Sequence, residues 1–258
     1  MILMMTQTMT ESMGAYYSGI NGLMRYGFRG LDWTYILVLI GMVFSMIASA
    51  GVKSSFKKFA RVANRAGLTG AETAARILKA KGVYDVTVQP IRGELTDNFN
   101  PRTKIVSLSE VVYNSTSVAA LGVAAHECGH AMQYNEGYFP LKVRAAILPV
   151  ANFGSKFGFP IILLGLFISF FRPLIPFGII LFAFGMLFQL ATLPVEFDAS
   201  RRALATLDEM QLMAPDEVAG ARKVLKSAAL TYVASAAAAI LQVLRLVLIF
   251  GGGGRRRS

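Results

Sequence analysis

Four long stretches of this chain carry almost no charge, and they limit its fold more strongly than any other feature of the 258 residues. The first, Trp33 to Val52, and the third, Pro173 to Val195, are each long enough to cross the ~30 Å hydrocarbon core of a bilayer as a helix. The second, about Phe157 to Phe171, is shorter and would need Lys156 and Arg172 to snorkel at its ends. In a chain that is 54% hydrophobic, this pattern predicts a polytopic membrane protein that is mainly α.

The fourth stretch, about Ala228 to Phe250, is predicted as the last membrane helix, although Arg245 interrupts it near its end. An interfacial or bundle-packed helix is the alternative, because the basic tail over 255–257 would lie outside the cell after a complete fourth span.

The cations beside the apolar stretches are expected to face the cytoplasm of a multi-pass cell-membrane protein. They are Lys53, Lys57, Lys58, Arg61, Arg65, Lys142, Arg144, Arg201, Arg202, Arg222, Lys223 and Lys226.

The net charge of +11 does not indicate nucleic-acid binding, because the basic residues gather beside apolar stretches rather than in a polar run with aromatic residues. Attraction to anionic lipid headgroups explains them better, so the bilayer is the expected partner.

Ala48-Ser49-Ala50 resembles the cleavage site of a signal peptide. The apolar stretch before it is longer than a signal sequence requires and cations follow it directly, so we expect an uncleaved anchor.

Both histidines of the chain, His126 and His130, belong to one H-E-x-x-H sequence, the pattern of zinc metallohydrolases. On an α-helix this spacing puts them on one face, roughly 6 Å apart along the axis, so both imidazoles can bind one metal ion with Glu127 beside them. Ser115 and Ser117 are candidate N-caps of this helix, which the alanine-rich sequence over 118–132 favours. A chance pair on a helix face is the alternative, and the absence of histidine elsewhere in the chain argues against it.

The polar block before the histidine helix begins with two predicted helices, a basic amphipathic one over Ser54 to Ala66 and one that starts at the capping box Thr69-x-x-Glu72. Over 85–91 and 104–108 the residue pattern alternates as in strands, and the segment between them is rich in turn residues. The predicted fold class is therefore mainly α, with a small β-hairpin or sheet preceding the zinc helix. An exposed edge strand there could pair with an extended peptide, and a purely structural hairpin is the alternative.

The predicted division of the chain follows these features. It consists of a leader (1–32), a first transmembrane helix (33–52), a cytoplasmic catalytic core (53–145), a transmembrane hairpin (146–195), a helical segment (196–227), a fourth transmembrane helix (228–250) and a flexible basic tail (251–258).

A catalytic zinc site usually has three protein ligands and a fourth position for water. The single cysteine, Cys128, lies at i+2 from the first histidine and is predicted to pack rather than to bind zinc, which favours a carboxylate as third ligand. Glu196 stands out because it follows the third span directly, where an ionised group needs a strong partner. Its alternative is an ion pair with Arg201 or Arg202. The other candidates are Glu94, Asp97, Glu110, Glu136, Asp198, Asp208, Glu209, Asp216 and Glu217.

Several segments between the first and fourth spans together resemble one protein family. They are Leu95-Thr-Asp97, Asn100-Pro-Arg-Thr103, Leu108-Ser-Glu110, Val112-Tyr-Asn114, Val118-Ala-Ala120, His126-Glu-Cys-Gly-His130 and Leu193-Pro-Val-Glu-Phe-Asp-Ala-Ser-Arg-Arg202. The family is that of the bacterial membrane-embedded neutral zinc metallopeptidases. More distantly, the chain resembles the CAAX prenyl endopeptidases and the bacterial heat-shock membrane proteases, in which a transmembrane hairpin also separates the histidine helix from a glutamate ligand.

The resemblance implies His126, His130 and Glu196 as ligands of one catalytic zinc ion and Glu127 as general base. The distant relatives have an aspartate four residues after the ligand glutamate. This chain has Ser200 there, so the task of orienting a ligand histidine is assigned to Asp198.

The expected function is that of an integral-membrane endopeptidase in which a zinc-activated water attacks a peptide or membrane-protein substrate and Glu127 transfers the proton. One alternative is a zinc-binding membrane scaffold or regulatory protein without proteolytic activity, and the presence of the glutamate argues against it. A transporter or channel is a weaker alternative, because the spans carry few polar groups. The candidate oxyanion donors are Tyr113, Asn114, Tyr134, Arg201 and Arg202.

Overall fold

The computed structural model describes residues 33–250, so the leader predicted over 1–32 and the tail predicted over 251–258 lie outside the described residues. Within them the chain is mainly helical, which confirms the predicted fold class. The elements are α1 (Tyr35–Phe59), α2 (Gly70–Ala80), β1 (Thr87–Ile91), β2 (Asn98–Asn100), β3 (Ile105–Ser109), α3 (Glu110–Tyr113), α4 (Val118–Asn135), α5 (Phe139–Phe167), a 3₁₀ helix (Ser169–Leu174), α6 (Ile175–Glu209) and α7 (Pro215–Phe250).

Four helices in the described part are long and apolar enough to cross a membrane, namely α1, α5, α6 with the 3₁₀ turn before it, and α7. Their apolar side chains mostly point away from the protein, and only 11% of the most apolar segment of α1 is buried. Ile36 and Ile47, for example, are 54% and 65% exposed. Apolar surface on this scale is stable in lipid rather than in water, so these helices agree with a polytopic membrane protein.

The helices run on past the boundaries that composition suggested. α1 continues from the apolar stretch through the basic segment to Phe59, where a separate helix was predicted from Ser54. In the same way α6 continues past Glu196 to Glu209, and α7 begins at Pro215, well before the fourth apolar stretch. Alanine, lysine and arginine favour helix whether or not lipid surrounds them, so the change in polarity does not end the helix.

The described chain falls into two compact units. One holds residues 33–41, 147–187 and 238–250, and its helices approach each other closely at glycines. A Cβ atom on Gly154 would lie 2.2 Å from the Leu181 carbonyl oxygen, and one on Gly41 would lie 3.1 Å from Ala238. Such small-residue contacts are typical of helices packed in membranes. Arg245, the cation within the fourth stretch, places its guanidinium 4.0 Å from the centre of the Tyr35 ring.

The other unit holds residues 42–146 and 188–237 and contains a hydrophobic core around α4. α2 packs on α4, and the core includes the fully buried side chains of Ile77, Leu108, Leu121 and Leu207. The capping box predicted at Thr69 starts α2, because the Thr69 side chain accepts from the Glu72 N–H and the Glu72 carboxylate accepts from the Thr69 N–H. Fully exposing one such buried leucine would cost about 1.5–3 kcal/mol, so this core holds α4 firmly.

The sheet of this unit precedes α4, as predicted, but its pairing is not that of a simple hairpin. The two predicted strands, β1 and β3, are parallel neighbours, with Thr87 opposite Ile105. The turn-rich segment between them contains the short strand β2, which pairs antiparallel with β3 through Phe99 and Val106. The strand order is β1-β3-β2, so β2 forms one edge of the sheet.

Candidate metal centre

His126, His130 and Glu196 meet at one point of the structure, as the sequence predicted. The Nε2 atoms of His126 and His130 lie 3.4 and 3.5 Å from the same oxygen, Glu196 Oε2. The two imidazole rings stand nearly perpendicular, with centroids 4.7 Å apart. The histidine side chains are 13% exposed and that of Glu196 is 4% exposed. One ligand atom of each residue therefore faces a shared, nearly enclosed space.

Two helices supply these side chains, and a glycine lets them approach. α4 starts at the N-cap Ser117, whose Oγ accepts from the Ala120 N–H at 3.2 Å, and it carries both histidines one turn apart. α6 carries Glu196. A Cβ atom on Gly129 would lie 2.6 Å from the Ala199 carbonyl oxygen, so only glycine permits this separation of α4 and α6. The glycine between the histidines therefore places the carboxylate within reach of them.

The outward ring nitrogens of the histidines are also engaged, and for His130 the contact determines the tautomer. Gln133 Nε2 donates to the Val195 carbonyl at 2.8 Å and to Asp198 Oδ2 at 3.0 Å, so its Oε1 is left as an acceptor. His130 Nδ1 lies 3.1 Å from that oxygen and must donate to it. His126 Nδ1 lies 3.2 Å from Ser200 Oγ. With the Nδ1 atoms protonated, both Nε2 lone pairs point toward Glu196 and are free to bind a metal ion.

The residues present fit a zinc ion. Glu196 Oε2 is buried and has no hydrogen-bond partner in the described part of the chain, although it lies between two imidazole nitrogens. A buried carboxylate oxygen without a partner is costly, and a cation held among these three atoms would satisfy it. Two imidazoles and one carboxylate form one of the usual ligand sets of catalytic zinc, which leaves a further position open.

Glu127 is buried next to this cluster. Burial raises the pKa of the Glu127 carboxyl group, the neighbouring histidines oppose that shift when they are charged, and the nearby carboxylates of Glu196 and Asp97 add to it. A carboxyl group with a raised pKa is better suited to accept and return a proton. Asp97 in turn accepts from the Ser109 N–H at 2.7 Å, which ties the start of β2 to the end of β3.

The other third-ligand candidates are used elsewhere or lie on the surface. Two of them accept hydrogen bonds from backbone N–H groups: Asp97 from Ser109 and Glu217 from Ala214. Four form ion pairs: Glu136 with Arg202, Asp198 with Arg201 and Arg202, Glu209 with Lys81, and Asp216 with Arg65. The remaining three, Glu94, Glu110 and Asp208, are exposed. The Cys128 thiol is buried, donates to the Ala74 carbonyl at 3.6 Å and has its pKa raised by burial. A thiol in that setting remains protonated and does not bind zinc.

Five contributors to the site were missed or misassigned from sequence. Asp198 contacts His130 only indirectly, through the side chain of Gln133. Ser200, which differs from the aspartate of the distant relatives, is the hydrogen-bond partner of His126. Arg144 Nη1 lies 3.7 Å from Glu196 Oε1, although Arg201 and Arg202 were the partners considered. Tyr232 on α7 interacts with the carboxylate of Glu196 and lies within electrostatic range of Glu127. The one local sequence signal for this network was Asp198, which stands four residues before Arg202 on the same helix and can therefore pair with it.

Removing the amide of Gln133 is expected to weaken zinc binding. Gln133→Met keeps the side-chain length but deletes the acceptor for His130 Nδ1, and loss of such a partner typically lowers metal affinity about 10- to 100-fold. Competition with a fluorescent zinc chelator measures the change. Gln89→Met, on the exposed side of β1, is the matched control and should leave the affinity unchanged. Equal affinities in the two variants would contradict the orienting role.

Comparisons with known proteins agree with this geometry. The model of a protein family described as "Putative neutral zinc metallopeptidase" matches residues 34–251 of the chain. A relative from Bacillus subtilis (strain 168), named "Putative membrane protease YugP", is 46% identical over 211 residues, which cover 82% of this chain and 93% of the relative. No solved structure matches the chain.

Proposed function

Because the chain belongs to this family of neutral zinc metallopeptidases, we propose that it is an integral-membrane endopeptidase with one catalytic zinc ion. His126, His130 and Glu196 are the proposed zinc ligands, and Glu127 is the proposed general base. The observation that carries the proposal is the convergence of three ligand atoms on one enclosed space, directly beside a buried glutamate. A site that only holds zinc has no need of that fourth group.

Zinc bound by these residues would polarise the scissile carbonyl and lower the pKa of a bound water toward ~7. Glu127 takes the proton of the attacking water and then gives it to the leaving amine, so one carboxylate serves as base and as acid. Its burial suits both steps, because a carboxyl group with a raised pKa holds the proton more strongly between them. The imidazoles keep their orientation throughout, since Gln133 and Ser200 hold their Nδ1 atoms.

Tyr232 is the proposed hydrogen-bond donor to the oxyanion. Of the five donors considered from sequence, Arg201 and Arg202 pair with Asp198, and Tyr113 packs against the hydrophobic core. The Tyr134 ring lies beside that of Phe99, and Asn114 is exposed. Tyr232 is half-buried and interacts with the carboxylate of Glu196. A phenol at this place can donate to an oxygen that gains charge during attack.

Replacing Tyr232 with phenylalanine should therefore lower kcat about 10²- to 10³-fold, the usual loss for one oxyanion donor, with little change in KM. Steady-state kinetics with zinc content measured alongside checks this expectation. Tyr113→Phe removes a phenol hydroxyl from the same unit and serves as the control. An unchanged kcat in the zinc-loaded Tyr232→Phe enzyme would exclude this donor.

The proposed substrate is an extended peptide segment that binds along β2. This strand lies at the edge of the sheet and packs against α4, where the Phe99 and Tyr134 rings are 5.9 Å apart. The outer side of β2 can therefore pair with a peptide main chain close to the histidine helix.

The four apolar helices support a membrane location, and the cations beside them favour a cytoplasmic site. To check on which side of the membrane the site lies, the exposed Lys79 is replaced with cysteine, and labelling of this cysteine is measured in vesicles of known orientation.

The proposed activity is tested by proteolysis of an unstructured protein by the purified full-length chain. We expect cleavage by enzyme that holds one zinc ion, loss of cleavage when a chelator removes the ion, and recovery when one equivalent is returned. Membrane-protein substrates reconstituted in the same vesicles form the second arm. Stoichiometric zinc without cleavage in both arms would instead favour a zinc-binding scaffold, and cleavage that survives zinc removal would contradict the metallopeptidase.

A further inference from the structure

An open groove with three cations lies beside the end of α1. Lys53, Lys57 and Arg61 line it together with the apolar side chains of Phe56 and Leu95, and its volume is about 700 Å³. Lys53 and Lys57 are one helical turn apart and therefore share a face. The size falls within the range of small-molecule binding sites. The groove thus combines positive charge with an apolar wall, at the place where the first apolar stretch ends.

The three cations of this groove differ from Lys58 and Arg65 of the same basic segment, which are engaged within the protein. Arg65, from the same basic segment, forms two 2.8 Å contacts with Asp216, and Lys58 lies over the Phe59 ring. Among residues 33–250 no ion pair involves Lys53, Lys57 or Arg61. One carboxylate, Glu94, also lines the groove, so three positive charges and one negative charge leave a net charge of +2. An anion would complement this charge.

A second, apolar groove continues from the first along α1. It has a volume of about 430 Å³ and is lined by Met42, Met46, Ser49 and Ala50, with Lys53 as the residue common to both grooves. Met42 and Met46 are 51% and 63% exposed. These residues belong to the stretch that is long enough to cross a bilayer. Lys53 therefore joins a cationic part to a part that lipid tails would contact.

We propose that the joined groove, Met42 to Arg61, is a binding site for one anionic phospholipid. The phosphate group is held by Lys53, Lys57 and Arg61, and an acyl chain lies along Met42, Met46 and Ala50. Charge complementarity selects an anion, and the continuous apolar surface selects one that carries a hydrocarbon chain. A free phosphate ion would use the cations alone, and an acidic peptide would leave the apolar part of the groove without a partner.

The test is lipid binding to the purified full-length chain in detergent, with native mass spectrometry as readout. Phosphatidylglycerol, phosphatidylcholine and inorganic phosphate are the three probes. We expect phosphatidylglycerol to bind at least tenfold more tightly than either of the others. Replacing Lys53, Lys57 and Arg61 with glutamine should weaken that binding about 10- to 100-fold, since each cation near a membrane surface contributes severalfold. The readout does not depend on peptidase activity.

A control with the same change in charge separates a site from general attraction. Arg76→Gln, Lys79→Gln and Arg102→Gln remove three exposed cations elsewhere in the same unit and should leave lipid binding unchanged. Ala50→Phe should weaken binding of the lipid but not of phosphate. Equal loss in both triple variants, equal binding of phosphatidylcholine, or phosphate binding as tight as lipid binding would overturn the proposal. An acidic peptide is added as a fourth probe, and the proposal would also be overturned if this peptide bound as tightly as phosphatidylglycerol and lost its binding in the variant of Lys53, Lys57 and Arg61.

Discussion

Glu127→Gln is expected to reduce peptide hydrolysis by about 10²- to 10⁴-fold, the usual contribution of general acid and base catalysis, while zinc remains bound. Glutamine has nearly the same shape but cannot take a proton from water. It also removes a carboxyl group that is buried beside other carboxylates, so the fold should not be weakened. Rates of cleavage of an unstructured protein, zinc content and thermal unfolding are measured on the same preparations.

The control for this variant is Glu209→Gln, which removes an exposed carboxylate paired with Lys81 on the surface. Such a pair contributes little to stability, so activity and zinc content should both stay at the level of the unchanged protein. If Glu127→Gln lost its zinc, its inactivity would say nothing about the base. If it kept both its zinc and its rate, Glu127 would not be the base, and another group would have to take the proton.

The central part of the site could be predicted because it is local in sequence. Helical periodicity alone puts His126 and His130 on one face, and the cap at Ser117 starts their helix where it was expected. Glu196 lies 66 residues after His130, yet the two apolar stretches between them, read as two membrane crossings, predict a return of the chain to the same side of the membrane. Two crossings restrict the position of a residue far along the chain, which a soluble loop of the same length would not do.

The network behind the histidines could not be predicted: Gln133 lies only three residues after His130, but the contacts that orient its amide, and the contact of Ser200 with His126, join residues that nothing in the sequence links. Gln133 reaches Val195 and Asp198, more than sixty positions away, and the pairing depends on how α4 rotates against α6. That rotation is set by the contact of Gly129 with Ala199, which the sequence shows only as a glycine in a helix. Tyr232 was hidden in another way, since it lies inside an apolar stretch that predicts only membrane crossing. The short strand β2 lies in a turn-rich segment, where no alternation can appear over three residues.

Glu196→Gln should lower zinc affinity without weakening the zinc-free protein. The amide is a poor zinc ligand, so the affinity should fall by more than the ~100-fold that loss of an orienting partner can produce. Without zinc, the Glu196 carboxylate keeps long ion pairs within the described part of the chain: the histidine Nε2 atoms lie 3.4 and 3.5 Å from Oε2, and Arg144 Nη1 lies 3.7 Å from Oε1. The amide loses these ion pairs but also removes the desolvation cost of a buried charge, so the two effects offset each other. The zinc-free variant should therefore unfold at nearly the same temperature as the zinc-free parent. Metal competition and thermal unfolding of zinc-free protein measure the two effects separately.

Glu217→Gln is the matched control, because this buried glutamate has a purely structural environment. Its two oxygens accept from the Arg65 N–H and the Ala214 N–H, both at 2.8 Å, and an amide can satisfy only one of them. That variant should lose about 1–3 kcal/mol of stability and keep its zinc affinity. A ligand evolved for metal and a carboxylate evolved for the fold are thus distinguished by opposite results. If Glu196→Gln destabilised the zinc-free protein and left zinc affinity intact, Glu196 would be a structural residue and the third ligand would have to be sought elsewhere.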